Sequence, residues 1–152
     1  MPDNVRAICA NLDNDFPVDD AGYDVVVAMM VVEHLFNPFH SFVQIVRVLK
    51  PGGRADVNLP NIASLRCRID LLLGRLPNTS SPDSFDRGEW DGNHLHYFTV
   101  DSVRRSARHC GLTVTPLHPV CKGMAIKRLR RQLLAHEITY VIEKPVRIPV
   151  RQ

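Results

Sequence analysis

The sequence predicts an α/β fold that is built on a mostly parallel sheet with helices on its faces. Three observations predict it: an apolar run over residues 23–30, a helical apolar periodicity over residues 39–49, and a Gly52-Gly53 turn before the next apolar run. Strand, helix and strand in this order form a right-handed crossover between parallel strands. The 152 residues are expected to form one domain with its own core.

The first apolar run extends from Tyr23 to Met30 and contains consecutive valines rather than an alternating pattern. Continuous apolar residues are typical of a strand that is buried on both faces of a parallel sheet. We therefore expect a strand over residues 24–30 in the interior of the sheet.

A helix is predicted over residues 39–49, because apolar residues recur there every three or four positions. Its expected buried face consists of Phe39, Phe42, Val43, Val46 and Leu49. Gln44 and Arg47 lie on the other side of the helix. Pro51 cannot continue a helix and the glycine pair admits a turn, so the next strand is predicted over residues 54–59.

The same patterns predict the remaining elements. Further strands are expected near residues 5–10, 112–117 and 136–144, and further helices near residues 62–73 and 100–110. Residues 74–93 are polar, contain two prolines and three glycines, and lack any periodicity. We predict a lid-like loop there, because such loops lie over the carboxyl ends of strands.

The chain carries a net charge of +3, and its basic residues concentrate in a predicted connection over residues 118–135. The cluster consists of Lys122, Lys127, Arg128, Arg130 and Arg131. A solvated connection is the favoured interpretation, because no aromatic residues interleave the charges as stacking platforms for bases would. Contact with phosphate, anionic lipid or RNA is the alternative, and nucleic acid is not the expected partner.

Neither a membrane span nor a secretory signal is predicted. No segment has the ~20 uninterrupted apolar residues that a bilayer crossing requires. The first residues, MPDNVRAI, lack the pattern of a basic segment followed by an apolar one. The expected location is therefore the cytoplasm.

Four segments are informative as a set: Asp24–Ala28, Val32–Leu35, Arg47–Gly53 and Leu59–Asn61. Together they resemble the class I S-adenosylmethionine-dependent methyltransferases that act on small molecules. They are similar to the family's fourth strand, its loop, the end of the next helix and the fifth strand. Residues 94–115 and 137–144 are similar to the late helix and the sixth and seventh strands. The resemblance implies a Rossmann-like sheet with an antiparallel last strand.

Two motifs of that family do not occur in the chain: the glycine-rich turn for the methionine part of the cofactor, and the acid that binds the ribose. Residues 5–10 match the family's third strand. The resemblance therefore implies a truncated methyltransferase fold, with residues 1–152 as a single partial domain. Either the third strand moves beside the fourth, or another chain fills the gap between them.

The resemblance also implies a cofactor site formed by Asn11, Leu12, Ala28 and Met29. The Asn11 amide would bond the adenine amino group, and the Leu12 backbone N–H would reach a ring nitrogen. Ala28 and Met29 would contact the cofactor through their backbone. Each missing polar partner would cost about 1–3 kcal/mol, so the expected S-adenosylmethionine site is weak or incomplete.

Glu33, His34 and His94 are the candidate catalytic residues. Glu33 and His34 can both face the cleft if they lie in a loop, where one of them would act as a base toward an acceptor hydroxyl. The alternative for Glu33 is a helix-start or structural hydrogen-bonding role. In the family-like pocket wall, His94 would orient a substrate.

No metal ligands are predicted. Quinone-type O-methyltransferases show a Glu-x-x-Glu-His pattern with a divalent metal, but Met30 stands in the place of the first carboxylate here. A hard cation would therefore lack an oxygen ligand. His94 and His96, with Glu89 and Asp91 upstream, form a weak metal pattern on their own.

Two functions of different classes remain open. One is a methyltransferase by descent, a transferase that methylates a small-molecule or lipid-like acceptor and that is weak or inactive in truncated form. The other is a non-catalytic interaction module that forms a homodimer through the exposed edge of its sheet. Binding of the cofactor distinguishes the two.

Overall fold

The computed structural model describes residues 4–116 and 131–146, which form one mixed α/β unit. The strands are β1 (Tyr23–Met29), β2 (Leu49–Pro60), β3 (Thr113–Pro116) and β4 (Glu137–Glu143). The helices are α1 (Pro38–Val48), α2 (Leu65–Leu72), α3 (Val100–His109) and α4 (Arg131–Leu134). Short 3-10 turns occur at Val32–His34, Phe85–Arg87 and Trp90–Asn93.

The four strands form one sheet in the order β1-β2-β4-β3. β1 and β2 are parallel, whereas β4 runs antiparallel to both of its neighbours. The last strand of the chain is therefore inserted in the opposite direction between β2 and β3. The predicted α/β fold with a mostly parallel sheet and an antiparallel last strand is confirmed.

Helix α1 begins where the sequence predicts, because Asn37 caps it and Pro38 has a φ angle suited to the first turn. The Asn37 side chain accepts a hydrogen bond from the His40 backbone N–H at 3.2 Å. The predicted buried face is wrong in part, since Phe39 and Val43 are 48% and 50% exposed. Phe42, Ile45 and Val48 form the buried stripe instead.

The buried face of α1 differs from the predicted one because Gln44, which was expected on the solvent side, is buried. Its Oε1 atom accepts hydrogen bonds from the Phe16 backbone N–H at 3.1 Å and from Arg47 Nε at 2.8 Å. Arg47 also donates to the carbonyl oxygens of Phe16, at 2.6 Å, and Val18, at 3.0 Å. These bonds fasten the segment before β1 to α1, so the polar side of the helix is itself a packing surface.

β2 begins at Leu49, five residues earlier than predicted, because the glycine turn lies inside the strand as a bulge. The register passes from Tyr23 opposite Leu49 to Val25 opposite Arg54. Gly52 has a φ of 81°, and a Cβ atom on Gly53 would lie 3.0 Å from the Asp24 carbonyl oxygen. The bulge therefore requires glycine at both positions.

The core lies on one face of the sheet. Alternate residues of β2 and β4 point into it beneath α1 and α3, and its members include Phe42, Ile45, Ala55, Val57, Leu59, Val103, Ile138, Tyr140 and Ile142. Val26 and Ala28 of β1 pack against the edge of this cluster. The layer of α1 and α3 thus covers the face that carries these apolar residues.

The other face of β1 is open, which contradicts the prediction of a strand buried on both faces. Val25, Val27 and Met29 are 45%, 64% and 50% exposed. They are paired in register with Arg54, Asp56 and Asn58, so they project from the face opposite the core. Within residues 4–116 and 131–146, no strand pairs with the outer edge of β1. β1 is therefore an edge strand here.

The predicted strand over residues 5–10 is wrong, since these residues are exposed and have no strand structure. A strand needs a paired neighbour to satisfy its backbone groups, and β1 does not provide one to this segment. The third family-like strand thus does not move beside the fourth.

Smaller differences have local causes. α2 begins at Leu65 instead of residue 62, because Ser64 caps it by accepting from the Cys67 backbone N–H. The predicted lid contains two 3-10 turns. The basic residues Lys122, Lys127, Arg128 and Arg130 lie outside the described residues. None of the described helices is long and apolar enough to cross a membrane.

Replacement of Leu59 with alanine is expected to lower the free energy of unfolding by about 2–5 kcal/mol, because it leaves a cavity beneath α1 and α3. Leu59 is 0% exposed, whereas Leu72 on α2 is 84% exposed. The matched control, Leu72→Ala, should change the free energy by less than about 0.5 kcal/mol. Urea unfolding of both variants measures the difference, and equal effects would contradict the assignment of the core.

Candidate functional site at the carboxyl end of β1

The site begins at Met30, immediately after β1. Met30 has a φ of 54°, in the left-handed region that a non-glycine residue rarely adopts. Its backbone N–H donates to the Asn58 carbonyl oxygen at 3.2 Å, which holds the turn against β2. The chain then enters the Val32–His34 turn. Strained backbone of this kind is concentrated at functional sites.

Glu33 is fully buried. Its backbone carbonyl oxygen and its side-chain carboxylate differ in their hydrogen-bond partners. Its backbone carbonyl oxygen accepts hydrogen bonds from the N–H groups of Leu95, at 2.9 Å, and His96, at 3.1 Å. Neither carboxylate oxygen has a hydrogen-bond partner among the other described residues, and burial raises the pKa of Glu33. Glu33 lies in the first turn after β1, and the alternative of a helix-start role stays a prediction.

His34 lies beside His94, with their ring centroids 4.8 Å apart and the planes inclined by 61°. His34 Nδ1 is 3.2 Å from the Asn93 carbonyl oxygen. Because a carbonyl can only accept, Nδ1 carries the hydrogen and Nε2 has a free lone pair. This Nε2 atom lies 3.9 Å from Glu33 Oε1. The structure thus brings together all three candidate catalytic residues.

His94 is oriented by Thr79 and Asp91. The Thr79 hydroxyl donates to Asp91 Oδ2 at 2.7 Å, and its oxygen lies 2.8 Å from His94 Nδ1. Since the hydroxyl hydrogen is committed to Asp91, its oxygen accepts from Nδ1–H and leaves the His94 Nε2 lone pair free. Burial lowers the pKa of His94, so its neutral form is favoured.

Asp91 links two parts of the predicted lid, residues 74–93, through hydrogen bonds. It is fully buried, and its Oδ1 atom accepts from the backbone N–H groups of Thr79, at 2.8 Å, and Ser80, at 2.9 Å. Burial acts to raise the pKa of Asp91, but these hydrogen bonds outweigh it and the pKa is lowered. Gly92, at a φ of 65°, has no room for a Cβ atom, which would lie 2.7 Å from Ser80 Cβ.

Sequence reasoning missed Thr79 and Asp91 as residues that orient His94. Both residues lie in a stretch without periodicity. The Asp91-Gly92 dipeptide is typical of a turn, but it does not indicate a contact with Thr79 or His94. The His94 and His96 pair does not act together, because His96 Nε2 lies 3.1 Å from the Phe36 carbonyl oxygen instead.

The four predicted cofactor residues lie at the same end of the sheet. Asn11 Oδ1 accepts from the Asp13 backbone N–H at 3.0 Å, which leaves the Asn11 amide N–H groups as donors. Asp13 in turn accepts from the Phe36 backbone N–H at 2.7 Å, so this turn is tied to the loop after β1. Ala28 and Met29 end β1, and Met29 is half exposed.

Comparisons with known proteins show which proteins this chain is similar to. A family model described as a methyltransferase domain matches residues 2–55. A probable S-adenosylmethionine-dependent methyltransferase of Mycobacterium tuberculosis is 31% identical over 108 residues, which are 71% of this chain. A related protein of Mycolicibacterium smegmatis with the same description is 39% identical over 61 residues, 40% of the chain. The predicted resemblance to class I S-adenosylmethionine-dependent methyltransferases is confirmed.

A solved structure shares the fold of this chain. The S-adenosylmethionine-dependent methyltransferase of Mesorhizobium loti superposes with a TM-score of 0.61 at 13% identity, and the match covers 88% of this chain and 67% of that one. The chain spans only 21% and 36% of the two curated relatives. The fold is therefore shared, while the relatives are much longer proteins.

Replacement of Asp91 with asparagine is expected to lower the free energy of unfolding at pH 7 by about 1–3 kcal/mol, because the backbone donors of the lid lose a charged acceptor. The native carboxylate has a lowered pKa, so its stabilisation is present above the unfolded value of 3.8 and is lost as the pH falls through the folded value.

The difference between native and Asp91→Asn protein in urea should therefore shrink at acid pH. Asp86→Asn, on the exposed part of the same loop, is the control and should match the native protein. A difference that is constant from neutral to acid pH would contradict the role of the ionised carboxylate.

Proposed function

We propose that this chain provides the acceptor side of a methyl-transfer site, with S-adenosylmethionine as the methyl donor and a small molecule as the acceptor. The observation that supports it is the cluster of Glu33, His34 and His94 after β1 of a methyltransferase-type sheet. The carboxyl ends of parallel strands are where ligands bind in such folds.

His34 is the proton acceptor in this proposal. Its side chain is 37% exposed, whereas that of His94 is 4% exposed, so His34 is the ring that an acceptor reaches. S-adenosylmethionine supplies an electrophilic methyl group when bound. His34 Nε2 would take the proton that the acceptor hydroxyl or amine gives up when it is methylated. Asn93 holds the ring in the required tautomer.

The cofactor would contact this chain on one side only. The Asn11 amide would donate to the adenine, and the backbone of Ala28 and Met29 would hold the cofactor. No residue of the described part has been assigned to the ribose or to the methionine carboxylate. The expected affinity of the chain alone is therefore lower than that of a complete site.

Titration of the chain with S-adenosylmethionine by calorimetry tests the proposal. A dissociation constant below a millimolar is expected, and Asn11→Ala should weaken it about 2- to 10-fold through the loss of one hydrogen bond. Asn14→Ala, an exposed asparagine in the same turn, is the matched control. Binding weaker than millimolar would exclude an enzymatic role for this chain alone, and tight binding unaffected by Asn11→Ala would place the cofactor elsewhere.

Self-association through β1 is a second proposed function, and the open edge and face of that strand favour it. An unpaired edge presents free backbone donors and acceptors, and the exposed valines add apolar surface beside it. A second copy that pairs there would extend the sheet. Such a dimer is compatible with either an enzyme or a non-catalytic module.

Val27→Lys is expected to keep the chain monomeric, because it places a charge in the middle of this surface. Val43→Lys is the matched control, since Val43 is also an exposed valine, 50% against 64%, but lies on α1. Sedimentation equilibrium at ~10–100 μM gives the mass of each. A native chain that remains monomeric over this range, or a dimer that survives Val27→Lys, would contradict pairing through β1.

A further inference from the structure

Glu33, His34 and His94 each offer one ligand atom, and these three atoms all lie within 4.8 Å of one another. We propose that they form a binding site for a divalent transition metal, best matched by zinc, through the Glu33 carboxylate and the Nε2 atoms of both histidines. Zinc on His34 Nε2 would occupy the lone pair that the proposed proton transfer uses, so zinc binding and that transfer exclude each other.

The first argument is the orientation of the two imidazole rings. Each Nδ1–H donates away from the cluster, His34 to the Asn93 carbonyl oxygen at 3.2 Å and His94 to the Thr79 hydroxyl at 2.8 Å. Histidine ligands of metals characteristically donate their other N–H to a carbonyl or a carboxylate-linked group, which fixes the tautomer. Both rings are thus held with Nε2 lone pairs available, before any metal is present.

The second argument is the Glu33 carboxylate, which is fully buried and has no hydrogen-bond partner among the other described residues at either oxygen. Leaving such a group without a partner is costly, and buried charges are normally paired or coordinate metals. His34 Nε2, at 3.9 Å from Oε1, is too distant for a hydrogen bond. A cation between these atoms would satisfy the carboxylate.

The ligand chemistry selects the metal. Two imidazole nitrogens and one carboxylate oxygen suit zinc, whereas magnesium and calcium prefer oxygen ligands only. Around tetrahedral zinc, ligand atoms lie about 3.4 Å apart, so the present 4.8 Å cluster would contract by roughly an ångström. Three protein ligands leave the fourth coordination position of a tetrahedral zinc ion vacant. His34 is the partly exposed ligand, so water would reach this position from the side of His34.

Zinc titration of the chelator-treated full chain tests the site. One ion per chain should bind with a dissociation constant tighter than ~10 μM, measured by competition with a chromophoric chelator. His34→Ala and Glu33→Gln should each weaken binding at least ~10-fold. Glu33→Gln keeps the side-chain shape and removes a buried charge, so it preserves the fold. Bound zinc should also raise the midpoint of thermal unfolding of the native chain but not of these variants.

A positioning variant and a matched control complete the test. Thr79→Val keeps all three ligands but removes the group that holds His94 Nδ1–H, and it should weaken zinc binding about 10- to 100-fold. His109→Ala removes an exposed histidine that contacts Phe39 instead, and it should bind zinc like the native chain. Binding that His109→Ala weakens as much as His34→Ala, or affinity weaker than ~100 μM, would overturn the proposal.

Discussion

The hydrogen bonds from Leu95 and His96 to the Glu33 carbonyl oxygen are the constraint on which the site depends. They join the loop after β1 to a segment about sixty residues further along the chain. Because the carbonyl accepts both donors, the Glu33 side chain is directed into the protein and His94 is brought beside His34. The position of His34 follows from the local sequence after β1, whereas the position of His94 depends on this long-range contact.

The sequence predicted well those elements that have strong local signals or that pair with a neighbouring element in the described fold. β1 and α1 were predicted within one residue at most of their boundaries, because the valine run and the Asn37-Pro38 cap are local signals. The exposure of Phe39 and the absence of a strand over residues 5–10 were not predictable. Each depends on what the segment packs against, and periodicity does not contain that information.

The same distinction holds within the site. Glu33, His34 and His94 were predicted because the resemblance identified their segments, but the unpaired Glu33 carboxylate was not. Its state depends on which groups reach it across the fold. The Thr79 and Asp91 pair is likewise a long-range feature of a stretch that has no pattern, although it determines which nitrogen of His94 is free. Tautomers are therefore set by contacts that sequence spacing does not encode.

The open face of β1 connects the fold to the function. A sheet with helices on both faces buries its parallel strands completely, and the valine run is a composition suited to that environment. In the described residues this face of β1 is not covered, and Val25, Val27 and Met29 remain exposed. Met29 also lies at the end of β1 where the cofactor is proposed to bind. A segment or partner that covers this face would therefore also lie beside the proposed cofactor site, so its binding would affect both the stability of β1 and the affinity for the cofactor.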